Sequence, residues 1–474
     1  MTVTPIHANL FQERKELYQF LLHCKETLRE KSHSKIVSIS VKSQAVDPLV
    51  VLEKIGEPNK LHFYIERPHQ GEAIAAIDAA IKLRLEGSDR FLQAQEFISS
   101  CLANATATGD LHLPFSGPHF FCSFTFFEDN VTPSSPFDAG TVFLPRWQVS
   151  CRQECSVIVA NIVIDLEVNL ERLIAEIAQQ YKLIKASVNQ TLIFIQKPKK
   201  KRNLQQKAER DYFKASVRSA LESIELKNQI SKIVLASTIE VSSPTPFQQI
   251  ESLNNLRKFH PDCYIFSTSN GKGKNFIGAS PERLIKIQNK ELETDALAGS
   301  APRGKTPAED AYFADGLLTS EKERREHQVV SNFIVNGLSN LGLNPQRLPL
   351  PCLLQLSNIQ HLWTPIRAKV PDNVHPLKIV AELHPTPAVA GVPRNIAIEQ
   401  IRRYENFDRC LYAAPLGWID HRGNSEFIVG IRSALLDGCN ARLYAGAGIV
   451  AGSDPDKELA EIQLKFQPLL KALV

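Results

Sequence analysis

Residues 445–465 read AGAGIVAGSDPDKELAEIQLK, and the choice of fold turns on them. The GAGIVAG part has the loose glycine spacing of a dinucleotide-binding turn. That reading needs a strand, the turn, a helix, a second strand, and an acidic residue about 20 positions on. ARLYA supplies a strand and DPDKELAEIQLKFQPLLKAL a helix, but the sequence closes at Val474 with no second strand. The GK[ST] signature of a Walker loop is absent. A nicotinamide-binding oxidoreductase is therefore set aside.

The helix says more than the glycines. Ser453 or Asp454 can cap it, and Pro455 suits its first turn. Ile462, Phe466, Leu469 and Leu473 recur at helical spacing and should face the core. Glu458, Glu461 and Lys465 share an adjoining face, turned by about 100°. Two carboxylates so placed can hold a hard cation such as Mg²⁺; the plainer alternative is a solvated, ion-paired face.

Three other stretches carry charge where a core is expected. In SEKERREHQVVSNFIVNGL, Ser320 and Glu323 form a capping-box pattern. Glu326 falls on the stripe of Val330 and Phe333, so it must lie near a helix end, be paired, or bind metal. In SKIVLASTIEV, Lys232 alternates with Val234 and Ala236 on one face of a strand. Such a lysine either snorkels to the surface or serves as a base. In GASPERL, Glu282 follows a proline between two strands.

The rest of the chain sets bounds. Its 474 residues, 43% hydrophobic and 22% charged, are ordinary globular composition with enough apolar surface for a large core. A net charge of +4 does not suggest nucleic acid. The basic run at residues 197–202 lacks interleaved aromatics and reads as a connector entering a helix. No apolar run reaches the roughly 18–20 residues of a membrane span. The opening MTVTPIHANLFQERKELYQF has no leader pattern, so a cytoplasmic protein is expected. Nine scattered cysteines without a CxxC pair read as reduced thiols.

Before residue 190, ELYQFLLHCKETLRE, AIAAIDAAIKLRLEG and DRFLQAQEFISSCLANA read as helices, and SKIVSISVKS, SVIVANIVIDLEV and HFFCSFTFFE as strands. After residue 210, strand-like runs dominate, with long helices at 320–341 and 454–473. The pattern predicts an α+β fold of large, mostly antiparallel sheets.

KIVLAS, FIGASPERL, TDALAGSAPRG, REHQVV, NIQHLWT, LHPTPAVAG, YAAPLGW, GIRSALL, LYAGAGIV and GSDPDKELAEIQLK follow one another in this order. Together they resemble the chorismate-utilising enzymes over about residues 210–474. ALAGS, where the aminating members carry PIAGT or PIKGT, points to the isochorismate synthases; the lysine of PIKGT would fall at Ala298, and Ser300 replaces a commoner threonine. Salicylate synthase is the nearest alternative, and an ammonia-dependent anthranilate or aminodeoxychorismate synthase a more distant one. The resemblance implies two large packed β-sheets with outer helices. Residues 1–196 would be a variable N-terminal half and 206–474 the catalytic core of one compact unit. It further implies Lys232 as base and Glu282 as acid. Glu326 and Glu461 would be Mg²⁺ ligands, with Glu458 assisting through water. Arg432, Lys465, Tyr412, Leu297, Gly299 and His361 would bind substrate, and Gly446 and Gly448 would form an anion-binding loop. As an acid Glu282 must keep its proton, so burial should raise its pKa. The implied substrate is chorismate. A monomer is expected, with no nucleic-acid, membrane or obligatory glutaminase partner.

Overall fold

The computed structural model describes residues 1–3, 11, 13–28, 34–129, 135–192, 194, 203–205, 207–225, 230–356 and 359–474. The basic run at 197–202 lies outside the described residues.

Two long antiparallel strands, Glu72–Leu85 and Gly140–Arg152, organise the molecule. At one end they pair with His62–Arg67 and Cys155–Asp165; at the other, Gly140–Arg152 pairs with His119–Phe124. Between the ends the register shifts at Ala79/Ile81, beside Asp78 with a left-handed φ of 56°. Such a bulge bends a strand, and here the pair passes from one sheet into a second.

The first sheet continues from His62–Arg67 through Tyr264–Ser269, Lys274–Ser280, Ser433–Asp437 and Asn440–Val450 to Lys232–Ser242. The second runs from His119–Phe124 through Pro415–Asp420, Ser425–Val429, Arg283–Gln288 and Glu291–Pro302 to Ile359–Lys369. Strands from before and after residue 196 thus hydrogen-bond one another in both sheets. All these pairings are antiparallel, and the fold is α+β. The sheets pack face to face: the rings of Phe63 and Phe121 lie 5.4 Å apart, and Tyr264 donates to Glu426 at 2.8 Å.

Two helices matter for the site. Glu321–Asn340 packs on Glu291–Pro302, and Pro455–Ala472 packs on Asn440–Val450. Asp454 caps the latter by accepting from the Asp456 and Lys457 amides, and Ile462, Phe466, Leu469 and Leu473 are all buried as expected. All nine cysteines are free, and among the described residues no helix is long and apolar enough to cross a membrane.

Two expectations are corrected. AIAAIDAAIKLRLEG is a strand, not a helix: its alanines favour helix locally, but strands on both sides claim its backbone hydrogen bonds. Gly446 and Gly448 lie within the strand Asn440–Val450, not in a loop, because pairing with Lys232–Ser242 runs unbroken to Val450.

Phe63 is 1% exposed. Phe63→Ala should cost about 3–5 kcal/mol, read as a lowered urea midpoint; an unchanged midpoint would contradict the inter-sheet packing.

Candidate active site

The strand Lys232–Ser242 presents Lys232 at its first position, 3% exposed. The lysine does not snorkel. Its Nζ lies 2.7 Å from Glu326 Oε1, so the carboxylate that the sequence put on an apolar stripe is paired. A Cβ on Gly448, in the neighbouring strand, would stand 3.0 Å from that same oxygen and 3.3 Å from Lys232 Cε.

Beside this pair opens a cavity. Glu282, Leu297, Gly299, Glu326, His361, Tyr412, Arg432, Gly446, Gly448, Glu461 and Lys465 line it, eleven of the thirteen residues that the sequence singles out. Lys232 sits behind Glu326, and Glu458 lies one helical turn before Glu461 (i, i+3). Glu282 is 5% exposed between two strands. Burial pushes its carboxyl up to about 7, against the pull of Lys232 and Lys465 and with the push of Asp295.

Arg432 is 6% exposed, and its backbone φ of 48° is one that side chains other than glycine rarely adopt. Its guanidinium meets only soft or neutral partners, Cys263 Sγ at 4.0 Å and His361 Nε2 at 3.2 Å. Among the described residues no carboxylate pairs with it. Burial holds His361 well below its usual pKa, and Arg432 and Lys465 add to the effect. Neutral His361 therefore accepts from Arg432 at Nε2, and its Nδ1 faces the Ser300 hydroxyl at 3.0 Å. Lys465 bridges Glu461 at 2.6 Å and the Gly446 carbonyl at 2.8 Å. Tyr412 stacks on Tyr444 at 5.4 Å, and burial raises its phenol pKa. The cavity thus offers a bare guanidinium, an ammonium and a protonatable carboxyl. That set suits a small, multiply anionic substrate undergoing proton transfer.

One carboxylate escapes the sequence reading. Ser320 caps its helix by accepting from the Glu323 amide at 3.3 Å. The Glu323 carboxylate does not close the capping box; it turns toward the Ser300 amide instead. It lies against Gly299, whose φ of 78° belongs to the bulge at Ala298/Ser300 and whose missing Cβ leaves the space. Burial and the nearby Glu326 push Glu323 up to about 7, with Glu461 adding. Glu458 is raised likewise, by burial and then Glu461. The signal available in the sequence was the three-residue spacing Glu323/Glu326, the same as Glu458/Glu461 on the other helix.

These oxygens are the hard donors that Mg²⁺ takes, and their mutual repulsion is what a cation relieves. Among the described residues, however, no three such side chains are drawn together as a formed metal site. Glu326 and Glu461 point to lysines. The donor chemistry fits a divalent cation, and holding one requires those two side chains to exchange partners.

Comparisons with known proteins show the family of the chain. A family model described as chorismate binding enzyme matches residues 19–474. The salicylate biosynthesis isochorismate synthase of Pseudomonas aeruginosa is 33% identical, over 92% of this chain and 90% of that one. The isochorismate synthase MenF of Bacillus subtilis is 30% identical, over 96% of both. The structure of the menaquinone-specific isochorismate synthase MenF from Escherichia coli superposes with a TM-score of 0.75 at 24% identity, covering 97% of this chain and 98% of that one. The chain belongs to the chorismate-binding enzyme family. Within it, this is an isochorismate synthase-like, chorismate-utilising enzyme.

Of the three glycines lining the cavity, Gly446 is the most closely approached: a Cβ there would stand 2.7 Å from the Tyr412 hydroxyl and 3.1 Å from the Leu235 carbonyl. Gly446→Ala should displace the phenol and lower kcat/KM roughly 10- to 100-fold, with the far-ultraviolet circular dichroism unchanged; wild-type kcat/KM would remove Gly446 from the site.

Proposed function

We propose that this protein is an isochorismate synthase, converting chorismate to isochorismate with Mg²⁺. The observation that carries this reading is Arg432: a buried guanidinium without a carboxylate partner among the described residues, lining one cavity with Lys465 and the buried carboxyl of Glu282. A buried cation left unpaired is costly, and a carboxylated substrate offsets that cost.

Chorismate carries two carboxylates. Arg432 binds one through its fork, and Lys465 and the backbone at Gly446 and Gly448 assist. Tyr412, His361 and Leu297 shape the pocket around the ring. Glu326 and Glu461, assisted by Glu458, would hold Mg²⁺, which would supply positive charge for the ring carboxylate and relieve the repulsion among the glutamates. Lys232, whose Nζ faces Glu326, is the base. Lys232 takes a proton from the water whose oxygen bonds to C2. Glu282 gives its proton to the C4 hydroxyl, which departs as water while the ring double bonds shift. One water enters and one leaves, so the product is an isomer of the substrate.

Quinone synthesis, menaquinone or phylloquinone, is the pathway we favour, supported by the match to the Bacillus MenF over 96% of both chains. Loss of the gene should then deplete the quinone; loss of salicylate or a siderophore with quinone unchanged would reassign it.

Purified protein given chorismate and Mg²⁺ without ammonia should yield an isomer of equal mass, and the conversion should stop on chelation. Salicylate with matching pyruvate would move the protein to the salicylate synthases, and dependence on ammonia would move it to the aminating enzymes. Glu282→Gln should lower kcat roughly 100- to 10,000-fold without loss of fold, as should Lys232→Ala; full activity in either would sink the acid–base assignment. Glu461→Gln should raise the Mg²⁺ concentration needed for half-activity, and an unchanged titration would remove it as a ligand.

The acid must be protonated, and its pKa is raised to about 7 by burial, among Lys232, Lys465, Asp295 and Tyr412. Activity should therefore fall by one proton's titration as pH rises through about 7. A flat profile from pH 6 to 9 would contradict Glu282 as the acid.

A further inference from the structure

The strand Lys232–Ser242 is incompletely paired on one side. Asn440–Val450 covers its whole length on the other. On the open side, Lys232 and Ile233 meet Val392 and Gly391, and Glu240–Ser242 meets the short strand Asn203–Gln205. Among the described residues no strand lies beside 234–239, where the Val234 amide alone reaches a backbone partner on this side, the Ala390 carbonyl at 2.7 Å. An ion pair takes its place. The Glu405 carboxylate accepts from the Ala236 amide at 2.8 Å, and Arg409 Nη2 donates to the Val234 carbonyl at 2.8 Å. Arg409 also donates from Nη1 to the Val389 carbonyl at 2.9 Å.

The pair is built for rigidity. Arg409 grips Glu405 with two hydrogen bonds, Nε–Oε2 at 2.8 Å and Nη2–Oε1 at 2.6 Å. Their side chains are 0% and 3% exposed. The guanidinium lies 4.3 Å from the Phe126 ring centre and 5.7 Å from that of Tyr412, and the Arg409 carbonyl accepts from the Tyr412 amide at 2.7 Å. Every backbone group it touches belongs to the wall of the cavity or adjoins it: Val234, Val389 and Tyr412 line it, and Lys232 is two residues before Val234.

We propose that Glu405 and Arg409 are a positioning pair that substitutes for a β-strand beside Val234 and Ala236. By doing so they hold Lys232, Val389 and Tyr412 in one fixed arrangement around the substrate. This rests on the chorismate reading for what is positioned, but not for the tie itself. The pair touches no substrate; it acts through the strand. A purely apolar filler would pack the same space but leave the Ala236 amide and Val234 carbonyl unpaired, which is why charged, forked groups stand there.

The test uses the full chain with Arg409→Lys, Glu405→Gln and Glu405→Ala. Arg409→Lys keeps the charge and loses the fork. Glu405→Gln keeps an acceptor for the Ala236 amide, and Glu405→Ala removes it. Two quantities are read on folded protein: kcat and KM for chorismate, and hydrogen exchange in the peptide spanning residues 232–242. We expect kcat to fall about tenfold or more in Arg409→Lys with KM changed by less than about threefold. Exchange should quicken in that peptide, with Glu405→Gln recovering part of what Glu405→Ala loses. Wild-type kcat in folded variants, exchange no faster than wild type, or failure of both Arg409→Lys and Glu405→Gln to fold would overturn a positioning role. Absence of chorismate turnover in the wild-type protein would instead count against the functional reading, and the exchange data would still decide whether the tie holds the strand.

Discussion

The eleven-residue antiparallel pairing of Lys232–Ser242 with Asn440–Val450 is the constraint on which the site depends. It sets Lys232 opposite Val450 and places Gly448 beside the lysine's side chain. It also delivers the chain to Asp454, where the carboxylate-bearing helix begins. Sheet pairing is unforgiving in this respect, because a slip of one residue turns every side chain to the other face. Lys232 would then turn away from Glu326 at the cavity's edge, and Ile233 would take its place.

Charge placement follows from the same frame. Two helices bring two glutamates each toward the cavity's edge, a strand brings Lys465's carbonyl partner, and the connections between strands bring Glu282 and Arg432. The charges are not all paired off internally. Lys232 with Glu326 and Lys465 with Glu461 are matched, whereas Arg432 leans on a thiol and a neutral imidazole. A protein selected for stability alone would not bury a guanidinium this way. The unmatched positive charge and the clustered carboxylates are complementary to an anionic substrate and a divalent cation, and together they give the cavity its chemistry.

Much of this was legible in the sequence because the informative residues break a local pattern. A lysine in an apolar strand, a glutamate on an apolar helical stripe, and acids at a helix's core edge each demand a partner, and the structure brings Lys232, Glu326 and Glu461 to one place. The α+β class followed from strand-like runs with two inserted helices. What failed was local. AIAAIDAAIKLRLEG has helix-favouring alanines and no strong alternation, so its strand conformation is decided by its two neighbours, the nearby His62–Arg67 and the distant Gly140–Arg152. Glu323 was hidden by a capping-box pattern that explained it well enough. Nothing in the local sequence marks Glu405 and Arg409, four apart, and only the gap beside Val234 shows why they are buried.

The central claim is that solvent water, activated on one side of the ring, replaces a hydroxyl leaving from the other. The most direct measurement runs the reaction in heavy-oxygen water and examines the isomer by mass spectrometry. The account predicts one solvent oxygen in the product hydroxyl, with label appearing in recovered chorismate as the reaction reverses. An isomer free of solvent oxygen would mean that the hydroxyl migrates within the substrate, and the roles given to Lys232 and Glu282 would be wrong.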